Sequence, residues 1–95
     1  MIMTLLTQVK NALRIDGIDH DDELEGLIET AKALLKEVGV LETKLVDTDP
    51  LIRKAVITYC KAEFGTDSKT SERLAWSFEE MKKLLSLLSS YTSEV

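Results

Sequence analysis

Between Ile15 and Leu27 the chain reads IDGIDHDDELEGL, which sets Asp16, Asp19, Asp21, Asp22, Glu23 and Glu25 around the single histidine, His20, with no lysine or arginine among them. Carboxylates this dense suit three chemistries: a hard cation such as calcium held by oxygen ligands, a zinc ion held with help from His20, or acid–base catalysis by a carboxylate pair. Spacing tests each of them. With Asp19 as the first ligand of a calcium loop, Asp21 and Glu23 fill the third and fifth positions. The sixth is then Leu24, where the turn needs glycine, and the twelfth is Thr30, where a bidentate glutamate belongs. Zinc needs several His or Cys ligands, and His20 and Cys60 are the only residues of their types. Asp22 with Glu25, or Glu25 with Glu29, share one side of a helix, a spacing common on solvated faces. The stretch therefore reads first as the opening of a helix, where free amides and the positive end of the dipole favour Asp19, Asp21, Asp22 and Glu23. What that leaves is a concentrated negative surface, which either is simply solvated, repels DNA, or meets a basic patch on a partner.

The remaining candidates for chemistry are few. Cys60 lies on the apolar side of a helical pattern with no histidine near it in the chain, which suits a small core residue better than a nucleophile. No Gly-rich phosphate loop, Ser-His-Asp set or nucleotide motif is present. The expectation is a protein that is not an enzyme, with no catalytic residue, no metal site and no cofactor.

Composition sets the frame around those residues. Ninety-five residues, 44% hydrophobic and 31% charged, suit one folded domain over residues 1–95 with a modest core. A net charge of −5 and a pI near 4.8 argue against a surface that grips nucleic acid, because such binding rests on clustered Lys and Arg releasing counterions. One cysteine forms no internal disulfide, so a reducing interior is expected. The opening MIMTLLTQVK has neither the basic start nor the long apolar run of a signal peptide, and no stretch is apolar for long enough to span a membrane, so a soluble chain not exported by a classical route is expected.

The elements that position these residues are helices. Thr4 is placed to cap a first helix over Leu5 to Arg14, with Leu5, Leu6, Val9, Ala12 and Leu13 at helical spacing and Asp16-Gly17 ending it. A second runs from Asp21 to Val38 on the face Leu24, Leu27, Ile28, Ala31, Leu34, Leu35 and Val38, with Gly39 at its C-terminal cap. Gly39 to Thr48 has no helical period and reads as a loop laying Leu41, Leu45 or Val46 on the core. Asp49-Pro50 starts a third helix to Phe64, stopped by Gly65. After the polar turn GTDSKTS, a fourth runs from Ser71 to Ser89. Its stripe of Leu74, Phe78, Met81, Leu85 and Leu88 is flanked by a second stripe of Leu84, Leu87 and Tyr91, an arc wider than one partner helix needs. Either this helix is the centre of the bundle or part of it meets another subunit. Trp76 lies off the main stripe, which fits an interface anchor or the edge of the core equally well. The fold class is all-α, a small bundle of about four helices with a longer C-terminal helix.

Three segments in this order, VKNALRIDGIDHDDELEGLIETAKALLKEVGV, DPLIRKAVITYCKAEFG and SERLAWSFEEMKKLLSLLSSY, resemble the small head-tail connector (DNA packaging) proteins of tailed bacteriophages and prophages. The resemblance spans nearly the whole chain and rests on the Val9-Lys10 to Arg14-Ile15 opening, the acidic start of the second helix, Asp49-Pro50-Leu51 with Ala55 and Tyr59, and YCKAEFG ending at Gly65. It departs from the family pattern at Trp76. It implies an all-helical structural subunit that joins copies of itself in a dodecameric ring beneath the portal protein. Such a ring extends the DNA channel, passes DNA without reading its sequence, and carries the next neck or tail protein. Its implied location is the virion neck, with the host cytoplasm before assembly. On this reading one interface patch is expected on the fourth helix around Trp76, Met81 and Leu84, and the other on the second helix or the loop holding Leu41 and Leu45. The competing reading is a small acidic helical regulator, dimeric, whose acidic face mimics DNA or competes for its binder.

Overall fold

The computed structural model describes residues 4–65 and 67–93. Their elements are α1 (Leu5–Leu13), α2 (Asp21–Glu37), a single 3-10 turn (Glu42–Lys44), α3 (Pro50–Phe64), α4 (Ser68–Leu87) and α5 (Ser89–Thr92), and no strand occurs among the described residues. The fold is a small all-α bundle.

Local chemistry explains the boundaries. Thr4 Oγ1 accepts the amide of Thr7 at 3.2 Å and caps α1. Arg14 ends that helix in the left-handed conformation, φ 58°, with its amide and that of Ile15 returning to Asn11 and Lys10 carbonyls. α2 opens differently: His20 is its N-cap and makes no side-chain cap bond, so Asp21, Asp22 and Glu23 act through their charge in the first turn. Gly39, at φ 109°, takes the left-handed position just past the end of α2, where a side chain would be strained.

The largest departure from the sequence reading is in the last third. Thr66 of the expected turn lies outside the described residues, but Ser68, Lys69 and Thr70 are helical, so α4 starts earlier than Ser71. α4 stops at Leu87; Leu88 is extended at φ −93°, ψ 114°, and a four-residue α5 follows. This break turns Tyr91 back across the bundle. The Tyr91 carbonyl accepts the Leu41 amide at 2.9 Å, and its hydroxyl donates to both carboxylate oxygens of Asp49 at 2.9 and 3.0 Å. Asp49 Oδ1 also accepts the amides of Leu51 and Ile52 at 3.0 and 3.2 Å. One carboxylate thus starts α3 and latches the C-terminal segment. Asp49→Ala is expected to lower stability by about 1–2 kcal/mol through the lost cap, and Tyr91→Phe by about 0.5–1.5 kcal/mol through the lost bond. Urea unfolding of both single variants and the double variant checks this, with the double falling short of the sum because the residues share one bond.

α3 is the hub: it packs against α1, α2 and α4 and buries Ile52, Ala55, Val56, Thr58 and Cys60. From α2 come Leu24, Ile28, Ala31 and Leu35, from α1 Leu5 and Val9, from the loop Val40 and Leu45, and from α4 Phe78 and Leu85. The fourth helix is therefore not the centre of the bundle. It is an outer element that commits a narrow stripe to α3. The loop places Val40 and Leu45 in the core, half-buries Leu41 and leaves Val46 exposed. With extents of 41 × 34 × 18 Å, the molecule is less than two helix diameters thick, so every helix keeps a solvent face.

Candidate functional site

The acidic stretch is resolved into separate roles. Lys10 Nζ sits 2.8 Å from Asp21 Oδ1 and also donates to the Gly17 carbonyl, tying α1 to the start of α2. His20 Nδ1 lies 3.8 Å from Glu23 and its ring meets Phe64 edge-on, 5.1 Å between centroids. Asp22, Glu25 and Glu29 point to solvent, and no ion pair engages them among the described residues. No group of three His, Cys, Asp or Glu side chains among the described residues is placed to hold a metal ion.

Cys60 is fully enclosed by the core, and burial pushes its thiol up to about 12 from 9.0. A thiolate is the reactive form, so this cysteine is inert at neutral pH. The shift also carries a stability consequence. The folded state holds the proton that the unfolded state releases, so the stabilisation is fully present below pH 9.0 and is lost progressively as pH rises toward about 12. Stability should fall there by up to about 1.4 kcal/mol per pH unit from this group, with the half-buried Tyr59 hydroxyl, also raised, adding in the same direction. Cys60→Ala is expected to flatten the alkaline limb of a plot of unfolding free energy against pH.

Beyond these structural roles, the feature of the described surface that stands out is the exposed apolar side of α4. At 100° per residue, Trp76, Leu84 and Leu87 fall within an arc of about 80°, centred opposite Phe78 and Leu85. Trp76 is 64% exposed, Leu84 47% and Leu87 82%, whereas Phe78 and Leu85 are essentially closed to water. α4 is apolar on two opposite sides, and α3 covers only one. Glu80 lies within the outer arc and Lys83 just beyond its edge, and the two pair at 3.2 Å, so the apolar side chains are interrupted by a neutral charge pair. The sequence-predicted residues divide accordingly. Trp76 and Leu84 share the outer stripe. Met81 is half-buried against the core, Leu45 is in the core, and Leu41 is half-buried beside the Tyr91 latch. Leu87, the most exposed large apolar residue among those described, extends the stripe. Its place beside Leu84 was visible in the spacing, but which of the two apolar stripes faced α3 was not.

No described helix is long and apolar enough to cross a membrane. No curated protein and no solved structure matches the chain. A family model described as phage connector protein matches residues 5–94, which is almost the entire chain and includes every helix described above. An all-helical domain with an uncovered apolar stripe and no catalytic constellation among its described residues is what a structural connecting subunit requires, and by that match the chain belongs to the phage connector protein family.

Proposed function

We propose that this connector is a ring-forming subunit of the virion neck, dodecameric in the assembled particle, that docks beneath the portal protein, extends the DNA channel and offers a platform to the next neck or tail protein. The observation that carries the reading is the outer stripe of α4: Trp76, Leu84 and Leu87 stay in water in the single subunit although the same helix buries its opposite side. Burying such side chains stabilises by about 25 cal/mol per Å2 of apolar surface, so a neighbour that covers them is favoured. In a ring each subunit uses two different patches, and closure depends on the rotation between them. The α4 surface around Trp76, Met81 and Leu84 supplies one patch; α2 or the loop that carries Leu41 and Leu45 supplies the other. A net charge of −5 suits a channel through which DNA slides without adhering.

Light scattering coupled to gel filtration tests this reading against that of a small regulator. A closed high-order species, formed by the chain alone or on addition of the portal protein, supports the ring. A stable dimer that ignores the portal and captures a basic regulatory protein overturns it.

A further inference from the structure

A second feature of the surface is not absorbed by the α4 stripe. Between α1, α3 and α4 runs an open groove of about 550 Å3 whose floor includes Ile57 and Leu74 and whose α3 side carries Arg53, Lys54 and Lys61. None of these three cations takes part in an ion pair among the described residues. In a chain of net charge −5, three unpaired cations over an apolar floor are a local inversion of the molecule's charge. No described residue forms an ion pair with them.

The matching surface is on the same chain. Asp22, Glu25 and Glu29 stand on the outer face of α2, exposed and without a cation among the described residues. Gly26 sits between them and Ala33 one turn beyond Glu29, both also exposed. A Cβ added at Gly26 would meet nothing within 4 Å, so the fold gives no steric reason for a glycine there. Glycine in the middle of a helix is destabilising by about 1 kcal/mol relative to alanine, and what it permits is close approach of another backbone. The two rows also agree in length. At 1.5 Å per residue, Asp22 to Glu29 covers about 10 Å and Arg53 to Lys61 about 12 Å.

We propose that the groove of α1, α3 and α4 seats the acidic outer face of α2 from a second copy of the chain, forming a charge-paired, head-to-tail contact distinct from the apolar stripe on α4, which leaves the loop of Leu41 and Leu45 as the partner of that stripe. Ile57 and Leu74 meet the bare backbone at Gly26 and the methyl of Ala33, and Arg53, Lys54 and Lys61 face Asp22, Glu25 and Glu29. Because the donor and acceptor surfaces are different patches of one chain, the contact propagates from copy to copy. It also covers cations that would otherwise hold the phosphates of passing DNA. This contact deepens the ring reading and takes its setting from it, but it is testable on the isolated chain.

The test uses purified chain at about 1 mM in low salt, where a contact with millimolar Kd is visible, followed by sedimentation velocity and by NMR chemical shifts. Two charge-reversal variants are compared with it, Arg53→Glu with Lys54→Glu, and Glu25→Lys with Glu29→Lys, each checked for retained helix by circular dichroism. The wild type is expected to associate, with shifts at both faces, and to dissociate at about 1 M salt, where charges are screened beyond about 3 Å. Each variant alone is expected to associate at least about tenfold more weakly, because its two faces now carry like charge. Mixed one to one, the two variants associate again, since each supplies the charge the other has lost. The proposal is overturned by a wild type that stays monomeric in low salt, by variants that associate like the wild type, by a mixture that stays monomeric, or by a groove that binds duplex DNA through Arg53 and Lys54 while self-association is unaffected. A chain that passes this test yet fails to engage the portal separates the fate of the contact from that of the ring.

Discussion

Phe78→Ala is expected to lower the stability of the isolated subunit by about 3–5 kcal/mol, the usual loss for an aromatic ring removed from a core. Phe78 is 2% exposed and is one of the two α4 residues buried in the shared core, so it is a main attachment of α4 to the rest of the bundle. Its ring lies 4.9 Å from that of Tyr59, tilted by 54°, and Lys82 Nζ sits 5.6 Å from its centroid. A thin slab cannot collapse onto the resulting void from both sides, because α3, on which the ring rests, is already held by α1 and α2. A domain of this size has a total stability toward the lower end of the 5–15 kcal/mol range, so the substitution removes a large part of it. The expected result in a urea titration is a midpoint shifted sharply down; an unchanged midpoint would mean that α4 is not held by this ring.

The second large effect concerns the opposite side of the same helix and leaves the fold alone. Trp76→Ala is expected to change the stability of the monomer by no more than about 0.5 kcal/mol, since its side chain is exposed. Separately, Leu84→Asp with Leu87→Asp is expected to cost about 1 kcal/mol, through lower helix propensity and negative charge in the last turn of α4, with the monomer still folded. Assembly should respond strongly. A tryptophan anchor buried in a protein interface contributes about 2 kcal/mol or more, so Trp76→Ala should weaken ring formation by about 30-fold. Two carboxylates placed in a dry interface should abolish it, because neither would find a partner charge there. The readout is the fraction of subunit recovered in assembled particles, measured beside a circular dichroism spectrum that stays helical. Together with Phe78→Ala this pair of results separates the two sides of α4: one expected to hold the subunit, the other proposed to join it to its neighbours.

Much of this was legible in the sequence, and the parts that were not share a physical cause. Helix positions followed from period and caps: Thr4, Asp49-Pro50 and Gly39 act where their chemistry says they should. Such signals are local, involving groups three or four residues apart. The acidic stretch was likewise readable as a helix start, although His20, not an aspartate, occupies the N-cap and the carboxylates act through charge alone. What spacing could not give was which of two apolar stripes on α4 meets α3, because both have helical period and only the geometry of the other helices chooses between them. For the same reason Met81, expected in one patch with Trp76 and Leu84, packs against the core; Leu45, expected with Leu41 in the other patch, lies in the core, as the reading of its loop also allowed. The break at Leu88 was hidden as well: Leu-Ser-Ser is an ordinary helical sequence, and the turn there is stabilised by Tyr91 reaching Asp49, 42 residues away. The cation groove was missed because Arg53, Lys54 and Lys61 gain meaning only when Leu74 of another helix completes its floor.

The most direct measurement is electron microscopy of the purified chain mixed with its portal protein. The account predicts annular particles with added mass on one end of the portal, lost when Leu84 and Leu87 are replaced by aspartate. Bare portals in the presence of excess folded subunit, or decorated portals that form equally well with the aspartate variant, would contradict it.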